Sequence, residues 1–553
     1  MTGADPGAEG SRDRLLAIGI PLLLYVGFAA LVYWAQGPDP ELSIDHIAYF
    51  KLADELRANH ADGAYWRGFD ALRSYSILVA YLYDVTGSHI ESLKLLMAGM
   101  TVAYLITFEQ LLFFFTRRRT LSVLFALLSA QFVSFGAAFW GFTDFAASLH
   151  RTLILPIFVL LIWFFLRFRA SPWRYATYPI LVLISLVHLS SYYLLLVLLA
   201  YEGLDFVFLR KFKLDRRLLY FGLGIAGIFA ARELVTLSGL GFTKFVNRTL
   251  ELAFGAADSL SPAEAWSIEL YAFPWRNFPL PLTTLANIAL SYGFIFALSV
   301  GGAWFARRRE GWNDLDRVMI AFAGAVVAAS YGLQTLLWVL RSITEIYPIN
   351  FEEIRAISLL MVPSIYFVTR LVGLLWWRER KRLAAAAVVL VFILQPIVMI
   401  RSLPVSWREG LIERMAQAGV LPENDTIRLL YARQYLGLAN EGPRFYYSTL
   451  GVLGWLHANA SPDDRVMTDR NEIPLAGLPV VGAFQRVMMM TVTVPARREW
   501  KSQLDQVAQA LETRDLDTVL KAARELDATL VIVPWQEPDA LYRDENFSIL
   551  RVD

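Results

Sequence analysis

The chain has no cysteine, only six histidines and only 18% charged residues in 553 positions. The missing cysteines exclude disulfides, Cys-ligated zinc and thiol catalysis. The histidines are scattered, and no H-x-x-x-H or H-E-x-x-H spacing occurs, so no zinc hydrolase signature is present. No G-x-x-x-x-G-K-[ST] loop exists, which removes an ATP-driven pump. Soluble domains carry about 25% charged residues, so the low charge excludes a soluble globular protein. What fills the space is apolar: 56% hydrophobic and 14% aromatic residues, with a mean hydropathy of +0.45. At roughly 20 residues per span, that composition predicts a helical protein of many membrane crossings.

Eleven apolar stretches qualify, at approximately 15–35, 92–115, 120–140, 152–169, 176–190, 191–209, 218–239, 282–305, 317–340, 356–377 and 383–403. The first follows Arg12 and Arg14 and lacks a small-residue cleavage site, which reads as an anchor. Basic clusters lie at Arg117-Arg118-Arg119, at Arg167, Arg169 and Arg174, across 210–217, at Arg307-Arg308-Arg309 and across 378–382. With the N-terminus inside, every cluster falls on the cytoplasmic side, as the positive-inside rule requires. The net charge of +1 thus conceals two opposed biases: arginines in the cytoplasmic loops, and an acidic excess in the tail. A near-zero total also gives no sign of nucleic-acid binding.

Three segments then fall outside: 36–91, 240–281 and 404–553. Residues 1–403 form the expected transmembrane domain and 404–553 an extracytoplasmic α/β domain. In the tail, 408–419 reads as an interfacial helix, and Tyr446–Asn459 as a helix stopped by Ser461-Pro462. A short strand follows over Arg465–Thr468. Leu504, Val507, Ala508 and Leu511 share one helical face, and Leu516, Val519, Leu520 and Ala523 repeat the spacing. Strands close the chain at Thr529–Val533 and Phe547–Val552. No nucleophile elbow, metal cluster or glycine loop accompanies them, which gives the tail a supporting role.

The first outer loop carries the sharpest pattern. In 44–56, Ile44, Ile47, Ala48, Leu52 and Leu56 have helical spacing, and Asp45, Tyr49 and Ala53 follow at i, i+4 and i+8. A second, shorter apolar stretch begins at Ile77 after Arg73-Ser74-Tyr75-Ser76. Ionisable residues recur at the outer ends of spans: His150-Arg151, His188, Arg341 and Arg355, with Glu352-Glu353 just before the last. An ionisable group at membrane depth is costly and tends to be used. Arg232-Glu233, in the outer half of the seventh span, reads as a buried structural pair. Glu109, Glu202 and Asp205 lie toward the cytoplasmic ends without forming an acidic chain across the bilayer. The segment 240–281 reads as a lid or an aromatic interfacial girdle.

A short first span, an Asp45…Tyr49…Ala53 juxtamembrane helix, a second interfacial helix and an outer α/β tail together resemble the GT-C superfamily, the polytopic glycosyltransferases that use polyprenyl-phosphate-linked sugars. The resemblance covers the whole chain as architecture. Where several members carry paired acidic residues in this loop, this chain has Asp45-His46. It implies a bacterial inner-membrane enzyme with a polyprenyl-phosphate-sugar donor and a glycan, lipid or protein acceptor outside. Asp45 becomes the general base, since an acceptor hydroxyl loses a proton as it attacks the anomeric carbon. A lipid phosphate leaving group needs cations rather than an acid, and Arg355 and Arg151 are first in line, with His150, His188, Arg341, Tyr49 and His46 as further substrate contacts. No cofactor is expected; a divalent ion held by Asp45, His46 and His60 is the alternative. The rival readings are a non-catalytic scaffold of the same architecture and a secondary transporter or flippase.

Overall fold

The computed structural model describes residues 11–35, 44–69, 73–143 (less 132, 136 and 137), 150–238 (less 189), 281–336 (less 334), 353–391 (less 378, 379 and 390), parts of 451–469, 480–481, and 494–552 (less 545). Among them, five helices are long and apolar enough to cross a membrane, and three apolar helices are shorter. With the small C-terminal sheet, they make the chain a helical membrane protein with an α/β tail.

Helix α1 (Ser11–Ala35) lies against α4 (His89–Thr116). The Tyr25 hydroxyl donates to Glu109 Oε2 at 3.0 Å, and Arg119 Nε donates to Glu109 Oε1 at 3.0 Å. Glu109 is therefore structural. Between these helices the first loop folds as α2 (Ile44–Asn59), a 3₁₀ turn (Tyr65–Gly68) and α3 (Ser74–Thr86). Gly87, at φ +68°, and the Ser88 N-cap then turn the chain into α4. Helix α5 (Arg119–Ser129) gives way to an antiparallel hairpin, β1 (Val133–Phe135) and β2 (Ala138–Trp140). The continuous third span expected over 120–140 is thus an eleven-residue helix and a hairpin.

Helices α6 (His150–Arg167), α7 (Thr177–Ile184), α8 (Ser191–Leu204) and α9 (Arg216–Ser238) follow. The expected fifth span, 176–190, shrinks to the eight residues of α7, because a 3₁₀ turn (Pro172–Ala176) precedes it and a turn at 185–190 ends it. Helix α8 runs on through a π turn (Asp205–Leu209). Glu202 in α8 is ion-paired with Arg174, and both side chains are buried. On α9, Arg232 and Glu233 are exposed rather than buried.

Helix α10 (Pro281–Glu310) is broken at Gly293, where φ is +51° and ψ −127°. It packs on α12 (Met361–Trp377), and Gly302 makes this possible: a Cβ there would collide with the Phe367 carbonyl. Between them stand α11 (Asp314–Val327), a π turn (Ala328–Gly332) and a 3₁₀ stretch (Glu353–Leu360); α13 (Lys381–Val389) comes last.

The tail sheet has strand order β4 (Val480–Val481), β3 (Val466–Met467), β5 (Leu530–Val533), β7 (Ser548–Arg551), β6 (Tyr542–Arg543). Strand β3 is parallel to β4 and β5, and β7 is antiparallel to β5 and β6. All four β5 residues are buried because both faces are covered. Val531 and Val533 meet Val507, Leu511, Val519 and Ala523 of α14 (Val494–Thr513) and α15 (Leu516–Glu525). Leu530 and Ile532 face Val452, Leu456 and Phe547 on the other side. Each strand and helix expected after residue 460 is present within a few residues; 408–419 and 446–450 lie outside the described residues.

Candidate functional site

A membrane core contains no water to satisfy a broken backbone, so irregular backbone at that depth occurs where protein buries it or a wet cavity needs it. Among the described residues, five interruptions of regular helix lie away from the basic clusters. They are the β1–β2 hairpin, the turn at 185–190, the π turn Ala328–Gly332, the kink at Gly293 and the 3₁₀ stretch Glu353–Leu360. Helical rise gives the length of helix between each break and the basic clusters. Measured from the arginine-rich end of the bundle at ~1.5 Å per residue, α5 carries the hairpin to about 16 Å, and α11 and α10 carry the π turn and Gly293 to about 21 Å. Helices α12 and α8 carry the 3₁₀ stretch and the 185–190 turn to about 25 Å or more. Each break is thus about three helical turns or more from the basic cluster at the other end of its helix.

The breaks touch one another. The 3₁₀ stretch packs on β2, on the Ala328–Gly332 π turn, on α8 and on α11, while β1 packs on α10. Beside the Gly293 kink, the buried Tyr292 hydroxyl donates to the Ile357 carbonyl. The hairpin is fixed by Trp140, whose Nε1–H donates to Tyr104 Oη at 2.6 Å; that hydroxyl in turn is 2.8 Å from Ser129 Oγ. The Phe142 N–H closes the base on the Ala130 carbonyl at 3.0 Å.

The first loop joins this layer. Ser74 Oγ, at the start of α3, donates to the Val187 carbonyl at 2.7 Å. The next residue, His188, accepts the Ser190 N–H on Nδ1 at 3.1 Å, with Ser190 Oγ at 2.6 Å. A ring nitrogen that accepts a backbone N–H has no proton, so the neutral His188 ring carries its proton on Nε2. Helix α2 leans on α3 through Tyr49 and Tyr75, whose rings are 4.9 Å apart. At the far end of α2, Arg57 and Tyr65 converge on Asp84 at 3.1 and 2.6 Å, and His89 Nε2 is 3.0 Å from Asp54. The Asp84 bond pushes the Tyr65 hydroxyl above its ordinary range.

The predicted site residues divide accordingly. His46 is fully buried, and Tyr49 is half-buried on the face of α2 that meets α3. The inward stripe of α2 is His46, Phe50, Ala53 and Leu56, so Ala53 belongs to the core. His188 and Arg355 are both half-buried, His188 in the turn before α8 and Arg355 in the 3₁₀ stretch that packs on α8. Asp45 stands in the first turn of α2, and His150 and Arg151 in the first turn of α6; their side chains, and the whole of Arg341, lie outside the described residues. So does the segment 240–280. No group of three metal-binding side chains occurs among the described residues. His46 and His60 are fourteen positions apart along α2 and its end, about 21 Å, so the two cannot share one ion. The hairpin, Tyr104, Trp140 and Tyr292 were absent from the sequence expectations; Gly136, Gly141 and Gly293 inside apolar runs were the available signals.

Fold and site together define a polytopic helical membrane protein with a layer of interrupted helices on one side and an α/β tail. No family model matches the chain, and no curated protein does. Among solved structures, the chain is similar to the Archaeoglobus fulgidus oligosaccharyltransferase. The apo form is 13% identical, over 95% of this chain and 70% of that one, with a TM-score of 0.49. The complex with Zn and sulfate is 12% identical, over 94% and 68%, with a TM-score of 0.47.

Proposed function

We propose that this chain is a membrane glycosyltransferase of GT-C type, moving a sugar from a polyprenyl-phosphate donor to a glycan, lipid or protein acceptor at the outer face of a bacterial inner membrane. Asp45 is the general base, or the group that orients the acceptor hydroxyl. Arg355 and Arg151 take the lipid phosphate, with His150, His188 and Arg341 beside them and Tyr49 and His46 shaping the acceptor side. The observation that supports this reading is the layer of five backbone breaks, joined through Ser74 and Val187 to the helix pair that begins with Asp45. The reading is supported by polar backbone, His188 and Arg355 occurring in these breaks, since a lipid-linked phosphate and a water-soluble acceptor need polar groups where they meet. A Nε2–H donor on His188 and the Arg355 guanidinium both suit an anionic leaving group. An inverted-repeat transporter would show the same break in paired helices; here the five breaks are a hairpin, a turn, a π turn, a kink and a 3₁₀ stretch.

The test is transfer from a labelled polyprenyl-phosphate sugar by the purified chain, beside Asp45→Asn and Arg355→Ala. Loss of a general base is worth about 10²–10⁴-fold, and Asp45→Asn is expected to fall in that range. Undiminished turnover by Asp45→Asn removes the base assignment. A wild-type chain inert across donors and acceptors points instead to the scaffold reading.

A further inference from the structure

At the opposite, arginine-rich end of the bundle, a cavity of about 380 Å³ opens between the ends of three helix connections. Phe115 and Arg118 bound it from the α4–α5 junction, Glu310 and Leu315 from the α10–α11 junction, and Arg370 and Leu374 from α12. The wall thus sets two arginines, one glutamate and neutral polar groups beside apolar side chains. Its acids are already engaged. The fully buried Asp316 accepts the Tyr366 hydroxyl at 2.7 Å and the Asn313 N–H at 3.0 Å. Glu310 accepts Arg370 Nη2 at 2.7 Å. Arg370 Nε–H finds no hydrogen-bond acceptor among the described residues, with Asp316 3.7 Å away. Around the mouth stand the exposed side chains of Arg117, Arg307, Arg308 and Arg309.

We propose that this cavity binds the phosphate of an anionic glycerophospholipid from the adjoining leaflet. Arg118 and Arg370 contact the phosphate, and Phe115, Leu315 and Leu374 contact the first carbons of the acyl chains. Three features favour a lipid. The volume holds a glycerol-phosphate group, the lining joins Arg118 and Arg370 to Phe115, Leu121, Leu315 and Leu374, and the exposed arginines at 117 and 307–309 stand nearby. Basic pockets between membrane helices on the cytoplasmic side take anionic headgroups by this chemistry. The site is distinct from the proposed transfer site: its lining lies at the arginine-bearing helix ends and shares no residue with the five breaks.

Delipidated full-length chain in detergent is titrated with phosphatidylglycerol, phosphatidylcholine and glycerol 3-phosphate in separate arms, with bound ligand read by native mass spectrometry. Phosphatidylglycerol is expected to bind best. Arg118→Gln and Arg370→Gln are each expected to weaken it about fivefold, the weight of one basic residue at an anionic surface. Leu315→Trp is expected to block it by filling the cavity while leaving every arginine in place. Melting curves identify any variant that misfolds; should Arg370→Gln do so by stranding Glu310, Arg118→Gln and Leu315→Trp decide. Lipid binding indifferent to both of those overturns the proposal. Glycerol 3-phosphate binding as tightly as the lipid overturns the lipid source.

Discussion

Single side chains hold the broken layer together through few bonds. Trp140 is almost fully buried, and its indole N–H has the Tyr104 hydroxyl as its acceptor at 2.6 Å. Replacing Tyr104 by Phe keeps the ring against Phe108 and Phe142, 5.3 and 5.0 Å away, and removes that acceptor together with the hydroxyl's own bond to Ser129. A buried donor left without a partner costs about 1–3 kcal/mol. Tyr104→Phe is therefore expected to lower the apparent melting temperature in detergent, and Tyr104→Phe with Trp140→Phe to recover part of the loss, because both partners are then gone. A single variant that melts like wild type means that the bond does not hold the hairpin. At this scale the sequence was only partly legible. His188 and Arg355 stand out as polar residues at span ends, but Tyr104, Trp140 and Tyr292 are aromatic residues among 77 in the chain. Only their partners mark them.

Elements that cross or stack regularly could be read, and elements that break could not. Helices α4 and α9, α8 and α11 each with its π turn, and α12 with the 3₁₀ stretch before it give apolar runs long enough to span, and length alone announces them. The tail strand Thr529–Val533 announces itself as a short continuous apolar run, and in the fold Leu530 and Ile532 are buried on one face and Val531 and Val533 on the other. The stretch 120–140 is equally apolar, yet hydropathy cannot distinguish a buried helix from a buried hairpin. Gly141 decides the matter in the folded chain. Its φ is +98°, and a Cβ would collide with the Gln131 carbonyl across the hairpin base. Gly141→Ala is expected to raise hydrogen exchange across 131–143, at a cost of at least about 1–3 kcal/mol for the strained backbone. Gly99→Ala, in the open interior of α4 with nothing near the new methyl, is expected to stabilise by up to about 1 kcal/mol. Equal behaviour of the two variants would show that the hairpin tolerates side-chain bulk and is not fixed in this form. The same limit applies to α2. Spacing shows which residues share a face of α2, but which face turns inward is settled by the tertiary partners α3 and the 3₁₀ turn.

For the whole molecule, the decisive property is sidedness, since Asp45 can meet a lipid-linked sugar outside only if the arginine-rich end is inside. The five breaks lie toward one end and the phosphate-sized cavity at the other, so an inverted chain would exchange their roles. The absence of cysteine makes this directly measurable, because any single introduced thiol is the only one present. Ala61 beyond α2, Glu512 in α14 and Arg309 at the end of α10 are exposed positions suited to the exchange. In intact cells, a membrane-impermeant maleimide is expected to label Ala61→Cys and Glu512→Cys. Arg309→Cys is expected to react only after the membrane is permeabilised. Labelling of Arg309→Cys alone in intact cells would reverse the topology: the broken layer, Asp45 and the tail would then face the cytoplasm. The tail provides a second, independent arm. Glu512→Cys labelled with Ala61→Cys protected would place loop and tail on opposite sides, and an odd number of crossings between them would follow. Agreement of all three positions requires the arginine clusters to have oriented the chain as the positive-inside rule expects. Asp45 would then stand on the side where an acceptor hydroxyl in water can reach it.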